Sequence, residues 1–549
     1  MKYLFPFLFI PFASYAQWTN NTSVNTPVCI AGGNQEDSRI VSDGTGGAIM
    51  VWMDSRPSGN TDIYVQRLDS AGIPKWQTNG VPICTESSNQ SVPVLVEDGN
   101  GGAIISWKDL RNGNSDIFAQ RVNNSGVIQW ALNGIAVDTK TKDQLDPKIV
   151  EDGNNGAIIT WQDSVSGNWD IYAQRINSSG VKQWSAGGVA VCTAANEQKN
   201  PKIATSGTGE TIIVWQDKRN GNDYNIYAQK LNSGGTPQWA SNGVSVCNSS
   251  DTQNNPKVKN DGTGGAIIGW ADKRNGNDYN IYAQRLNSSG AAQWQANGIP
   301  ISLETGNQSA IDISTQNING AIFTWKDYRN NIYADIYAQY IDNTGIPQWA
   351  VNGIPVSTKS FDQINPNIIT DSTAGIIVWQ DSGSGTWDIY AQKIFLNGTS
   401  LWGTNGKVIG NAPNIKSSPK QISDGRGGII TIWQDLRDTG KFDIYAQNVH
   451  SDGTLGGLTG DNNLISEDEF VRIFPNPNCG IFEISLINQG ELHGFEINIF
   501  NALEEIVFHK ISKGLNNMEV NISNHPQGIY FYTISDSQNL LHSGKVDIY

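Results

Sequence analysis

Gly102-Ala103-Ile104-Ile105-Ser106-Trp107-Lys108-Asp109, followed by Asp116-Ile117-Phe118-Ala119-Gln120-Arg121, is one copy of a unit that recurs through most of the chain. Its Trp-x-Asp core stands at Trp52, Trp107, Trp161, Trp215, Trp270, Trp325, Trp379 and Trp433. By subtraction, successive copies lie 55, 54, 54, 55, 55, 54 and 54 residues apart. So strict a period marks a repeat architecture, in which each unit buries its apolar face against its neighbours.

One unit reads from 147 to 200. Pro147-Lys148-Ile149-Val150 is a short strand ending at the Asp152-Gly153 turn. Ala157-Ile158-Ile159-Thr160-Trp161 is apolar without alternation, as a strand covered on both faces is. Asp170 to Ile176 alternates, as a more exposed strand does. Val181 to Cys192 supplies a fourth strand interrupted by a Gly-Gly turn. No segment carries a helical period. Four short antiparallel strands per unit, eight times over, predict an all-β chain whose main body is an eight-bladed β-propeller.

The ends of the array predict how the ring closes. A Gln-Trp-type strand recurs at Trp76, Trp130, Trp184, Trp239, Trp294, Trp349 and Trp402, but is missing after the eighth Trp-x-Asp. A spare copy sits near the start, at Gln17-Trp18 and Thr26-Pro27-Val28-Cys29. The N-terminal strand is therefore expected to complete the eighth blade and remove the open sheet edges. A β-solenoid would need no such permuted strand.

Composition agrees with this reading. The 549 residues include 58 Gly and 18 Trp, and only 16% are charged, as in a turn-rich β protein. The formal charge of −15, with no basic run, argues against nucleic acid or an anionic membrane as a partner held by bulk electrostatics. Cys29, Cys84, Cys192 and Cys247 share one place in the repeat. Equivalent places on packed sheets lie about 10 Å apart, whereas a disulfide needs Cα atoms within about 7 Å. They are read as reduced, small, buried side chains. Dispersed Cys cannot form a cage, and the five His fall at 450 and beyond, so no metal site, cofactor or Ser-His nucleophile is expected in the repeats. A Ca²⁺ loop in Asp-x-Arg-Asn-Gly-Asn is disfavoured because the Arg intrudes.

Residues 1–16 read as a secretory signal peptide, with Lys2, the apolar run Leu4 to Phe12 and the small residues before cleavage. No other apolar run approaches about 18 residues, so no integral helical segment is expected in the mature chain. Residues 17–450 are assigned to the propeller, 451–468 to a Gly- and Asp-rich linker, and 469–549 to a small C-terminal β-sandwich.

Two resemblances extend the reading. The succession Asp98-Gly99, Trp107-Lys108-Asp109-Leu110-Arg111, Gly113-Asn114 and Asp116-Ile117-Phe118 resembles the TolB-type, WD40-like propeller repeat. Phe474-Pro475-Asn476-Pro477-Asn478-Cys479-Gly480, Gly528-Ile529-Tyr530 and Lys545-Val546 resemble the type A C-terminal sorting domain of type IX secretion cargo. That likeness implies export by the type IX machinery to the outside or the cell surface. It makes Pro475, Asn476, Pro477, Gly480, Gly528, Tyr530 and Lys545 sorting-signal residues, not catalytic ones.

The repeated Asp of Trp-x-Asp, followed by Arg in six copies, reads as a turn brace. Function is sought where copies differ. Copies three and seven lack the Arg and carry Trp169 and Trp387 in hydrophilic loops, where an indole can stack on a sugar or anchor a protein. The sequence-level expectation is a secreted or surface-attached binding or scaffold module for a polysaccharide or surface protein, with no catalytic residue and no enzymatic activity. The alternatives are a glycan-cleaving propeller with paired carboxylates, and a purely structural surface component.

Overall fold

The computed structural model describes residues 18–56, 59–315, 318–437, 440–456, 471–474, 481–486, 495–501, 505–512, 517–535 and 540–548. The expected signal peptide, most of the expected linker, and Pro475, Asn476, Pro477 and Gly480 lie outside the described residues. The chain divides into two compact units, 1–459 and 460–549. Both are all-β, with no helix among the described residues.

The first unit is a series of four-stranded antiparallel sheets that resemble propeller folds. Sheet one is made of Gln35–Ser42, Ala48–Asp54, Asp62–Leu68 and Val81–Cys84, paired in that order. Equivalent sheets span 90–138, 144–192, 198–247, 253–302, 308–357 and 363–410. A further sheet joins Lys416–Ser423, Ile429–Asp435 and Asp443–Val449 to Thr26–Cys29 from the other end of the unit.

The pattern of residue types explains the layers. The second strand, such as Ala103–Asp109, is buried along nearly its whole length, so it is apolar without alternation. The short fourth strand has its first half partly or fully exposed. Each first strand carries a β-bulge early in its course. First strands of consecutive sheets touch one another, and Lys416–Ser423 touches Gln35–Ser42. The succession therefore returns to its start around a common axis.

Three sets of repeated contacts join neighbouring sheets. The Gln-Trp-type indoles donate Nε1–H to a backbone carbonyl of the next sheet, from Trp76 to Asn124 (3.0 Å) through Trp402 to Ser451 (3.2 Å). Trp18 makes the same bond to Ser70 (2.9 Å) and lies on Gly72, as Trp76 lies on Gly126. The first-strand Gln of each of seven sheets, and Lys416 in the eighth, donates its backbone N–H to the sheet before, including Gln35 to Phe442 (2.7 Å). The Asn of the Asn-Gly turns caps the neighbouring fourth strand, as Asn133 does at Thr85 N (3.2 Å). Gly134 follows at φ +89, where a Cβ would fall 2.4 Å from the Trp107 ring, so only Gly fits.

The second unit holds a three-stranded sheet (Val471–Phe474, Ile481–Leu486, Asn517–Asn521) and a four-stranded sheet (Ile506–Ser512, Phe495–Phe500, Gly528–Ser535, Leu540–Ile548). Phe482, Ile484, Ile497, Ile499, Val520 and Ile534 from the two sheets form one core. Gly528 opens the strand that pairs with the last one, where Lys545 faces Phe531. Tyr530 is buried, and its hydroxyl donates to the Pro526 carbonyl (2.6 Å).

Trp18 is 3% exposed. Trp18→Ala is expected to cost about 3–5 kcal/mol, the range for removing a buried Trp. Deleting residues 18–30 should lower the calorimetric melting temperature further than Trp18→Ala does. A melting temperature unmoved by the deletion would show that Thr26–Cys29 is dispensable to the array.

Candidate functional site

The Trp-x-Asp carboxylates are engaged by the fold, with Asp381 Oδ2 alone among them buried without a hydrogen-bond partner among the described residues. All eight Trp of the motif are 0% exposed. In six sheets the Trp Nε1–H donates to the Asp Oδ2 over 2.7–2.9 Å. In sheet two, Arg111 closes on the same carboxylate with Nε to Oδ1 (2.9 Å) and Nη2 to Oδ2 (2.6 Å). Arg111 also donates to the Asn133 carbonyl (2.9 Å) and lies 3.9 Å over the Phe118 ring. Cys84, from the preceding sheet, places its sulfur 3.1 Å from Arg111 Nη2. Burial pushes its thiol up to about 12, so it stays protonated and unreactive. The four repeat Cys are free and buried.

Sheets three and seven lack the Trp-to-Asp hydrogen bond but keep a cation by another route. Where Arg is absent, a Lys arrives from the end of the preceding sheet. Lys140 Nζ bonds Asp163 (2.7 Å) and Asp138 (2.9 Å) and sits 3.8 Å over Tyr172. Lys359 lies 3.6 Å from Asp381 and 3.9 Å over Tyr390. The copies that differ at the Arg have exchanged one cation for another. Their loop residues Trp169 and Trp387 are half-buried, and their carbonyls accept Gln198 N (2.7 Å) and Lys416 N (2.9 Å). Phe442, Thr61, Ser115, Tyr224, Tyr279 and Ala334 hold that place in the other copies, and the backbone carbonyl is what all of them share.

The first strands hold an arrangement that the sequence reading overlooked. At eight equivalent places, Asp37, Val92, Asp146, Asn200, Asn255, Ala310, Asn365 and Ser418 all take a left-handed backbone, with φ of 51–57°. That conformation is costly for Val and Ala. Two residues on, past the bulge, stand Arg39, Val94, Lys148, Lys202, Lys257, Asp312, Asn367 and Lys420, each opposite the middle of its second strand. They are half-buried and line two adjoining cavities of about 280 and 360 Å³ on the common axis. The signal was present in Pro147-Lys148, Pro201-Lys202, Pro256-Lys257 and Pro419-Lys420, visible once the copies are aligned on this strand.

The ring is crowded with cations. Asp37 pairs with Arg39 (2.7 Å), Asp146 with Lys148, and Asp312 with Lys257 (3.4 Å). Lys202 has only the Asn200 amide and nearby carbonyls, and Lys420 the Asn367 amide (3.0 Å). Burial, with neighbouring cations adding, brings Lys202 down to about 7 and Lys420 to about 8.

Toward the far end of the same strands stand two carboxylates, Glu97 and Glu151. Their register partners are Ala103 and Ala157. At the equivalent place the other sheets carry Ser42, Thr205, Asn260, Thr370 and Ser423. Burial first, and then the charge of Glu151, pushes Glu97 above the usual carboxylate range. Glu97 lines a cavity of about 450 Å³ with residues of the first, seventh and eighth sheets. Trp169 and Trp387 are not brought to it: they lie by the Asp ends of the second strands, and Glu97 and Glu151 by the opposite ends.

Residues 472–547 match the family described as the secretion system C-terminal sorting domain. Such a tail implies handling by the type IX secretion machinery, and secretion or display at the outer surface. No curated protein matches the chain. Solved structures of similar fold include polysaccharide lyase Uly1, at 8% identity over 81% of this chain and 94% of that one (TM-score 0.43). A polysaccharide lyase of family PL25, an ulvan lyase bound to -[GlcA(1-4)Rha3S]-, is similar at 10% identity over 70% and 97% (TM-score 0.41). The α-L-arabinanase of Penicillium chrysogenum, complexed with arabinobiose, is similar at 10% identity over 77% and 97% (TM-score 0.33). These likenesses overturn the expectation of a chain without enzymatic activity. That expectation rested on the placing of all five His at 450 and beyond and on acidic residues that are mostly repeated.

Two tests follow from the Lys140 cluster. Lys140→Met leaves Asp138 and Asp163 together without their cation and should cost about 3–5 kcal/mol, as breaking a buried pair does. Burial raises Asp138 to about 6. A carboxyl raised on folding gives stability that is fully present below its ordinary value of about 3.9 and lost as pH climbs through about 6. Asp138→Asn should therefore flatten the fall in melting temperature between pH 4 and pH 8, measured by differential scanning calorimetry.

Proposed function

We propose that this chain is an exported, eight-bladed β-propeller that hydrolyses a polysaccharide at the mouth of its axial channel. The observation that carries the reading is the carboxylate pair Glu97 and Glu151 on adjacent first strands, where the other sheets place small hydroxyl or amide side chains. Two carboxyl groups, one of which holds its proton to higher pH than usual, are what glycoside hydrolysis needs. Protonated Glu97 gives its proton to the glycosidic oxygen as the carbon–oxygen bond breaks. Glu151 takes a proton from the water whose oxygen bonds to the sugar carbon.

The remaining assignments belong to the same proposal. The repeats are TolB-type, WD40-like blades, and Thr26–Cys29 is the strand that closes the ring, supported by Trp18 making the contact of the seven other Gln-Trp-type residues. Residues 1–16 are the signal peptide, 17–450 the propeller, 451–468 the linker and 469–549 a β-sandwich removed or retained at the surface. Pro475, Asn476, Pro477, Gly480, Gly528, Tyr530 and Lys545 serve sorting. Trp169 and Trp387 contact sugar at the other mouth of the channel.

The test is release of reducing ends from a polysaccharide panel by the full-length chain. Glu97→Gln and Glu151→Gln should each lower the rate about 10²–10⁴-fold, the usual contribution of a general acid or base, without moving the melting temperature. Activity should fall as pH rises through the elevated Glu97 value, because the acid must be protonated. A wild-type chain that releases no sugar from any polymer, or variants as active as wild type, would overturn the reading.

A further inference from the structure

We infer that the axial channel binds an acidic polysaccharide, its carboxylate or sulfate groups held by Arg39, Lys148, Lys202, Lys257 and Lys420. This deepens the reading above by naming the substrate class, and rests on it for the polysaccharide but not for the anionic group.

The geometry carries the inference. Five of eight equivalent first-strand positions are cationic, in a chain whose formal charge is −15. Random placement on an acidic protein does not gather cations on one axis. The strands hold them there through eight left-handed bulges, two of them on Val92 and Ala310, for which that backbone is strained. Bulges of this kind re-aim side chains beside functional sites.

The ring is also incomplete as a charge system. Its acidic groups are Asp37 and Asp312, with Asp146 paired to Lys148 from beside the lining, and Lys259 adds a further cation. Asp312 is already engaged, accepting Ile368 N at 3.0 Å and facing Lys257. Among the described residues neither Lys202 nor Lys420 forms an ion pair, though both are half-buried beside other cations. Converging, partly desolvated cations repel one another, and an oxyanion placed among them relieves that repulsion while gaining charge-assisted hydrogen bonds. Carboxylate and sulfate share that chemistry. A separate cavity lined by Glu97 lies farther along the same first strands, so a polymer that places acidic groups in the ring has a linkage within reach of the carboxylates.

Proton linkage supplies an independent readout. Lys202 and Lys420 are partly neutral near pH 8 in the free protein. A bound anion recharges them, so binding takes up protons, and the apparent enthalpy must depend on the ionisation heat of the buffer.

The test uses the full-length chain and isothermal titration calorimetry with four probes: polygalacturonate, dextran sulfate, neutral dextran and sodium sulfate. The expected result is binding of polygalacturonate or dextran sulfate that weakens steeply with salt and takes up protons at pH 8, with none for neutral dextran. The double variant Lys202→Met/Lys420→Met should lose at least about tenfold in affinity, one tenfold step per 1.4 kcal/mol. Its melting temperature should stay level or rise, because two uncompensated cations have been removed. Neutral dextran bound as well as the acidic polymers, or full affinity in the double variant, would overturn the inference. Sodium sulfate bound as tightly as dextran sulfate would reduce the site to one for a small ion and overturn the polymer. Acidic polymer bound but never cleaved would leave this inference standing and defeat the hydrolase reading. Cleavage of neutral polymers with no acidic polymer bound would do the reverse.

Discussion

The clasp of Trp, Asp and a cation is the interaction on which the array depends. A carboxylate with no solvent exposure is tolerable only if it is neutralised and its oxygens are saturated. Here the indole N–H and the guanidinium fork of one sheet do both, as at Trp107, Asp109 and Arg111. The guanidinium then reaches the Asn133 carbonyl and Cys84 of the preceding fourth strand and covers Phe118. One cation therefore fixes the second strand, the aromatic of the third and the turn after it. Where Arg is lost, Lys140 and Lys359 restore the charge from another element. All eight carboxylates have a cation within 3.6 Å, whichever element supplies it.

Strand content and repeat count were legible because the buried second strand imposes a local pattern. Its apolar run, terminal Asp and period survive in every copy. The N-terminal contribution was legible for a related reason: Trp18 must satisfy the same packing against Gly72 as Trp76 does against Gly126. The Cys were also readable, since equivalent places on packed sheets lie about 10 Å apart, too far for a disulfide.

The site was harder to see. Sequence reading went to Trp169 and Trp387 because a Trp in a hydrophilic loop stands out, and their backbone carbonyls also make the contact that joins each sheet to the next. The first-strand ring is drawn from residues about 54 positions apart, each unremarkable beside its neighbours. Lys202 next to a Pro reads as an exposed strand entry. Only the cyclic arrangement turns five such residues into one field, and only the register sets Glu97 beside Glu151. Net charge is silent on the ring, because an average over the whole chain says nothing about the axis.

The pairing of Thr26–Cys29 with Asp443–Val449 has a consequence for the order of assembly. Arg437 hydrogen-bonds Asn25 across 412 residues of sequence (3.0 Å). Seven sheets are built from strands adjacent in the chain and can zip up one after another as local hairpins do. The last sheet cannot, because its outer strand was made first and must wait for the rest. Until it docks, the array is an open coil with a bare strand edge at Asp443–Val449, and such an edge accepts a strand from any copy that offers one. The last sheet is thus completed at the final step, and at high concentration that step becomes a competition between a chain's own beginning and its neighbour's.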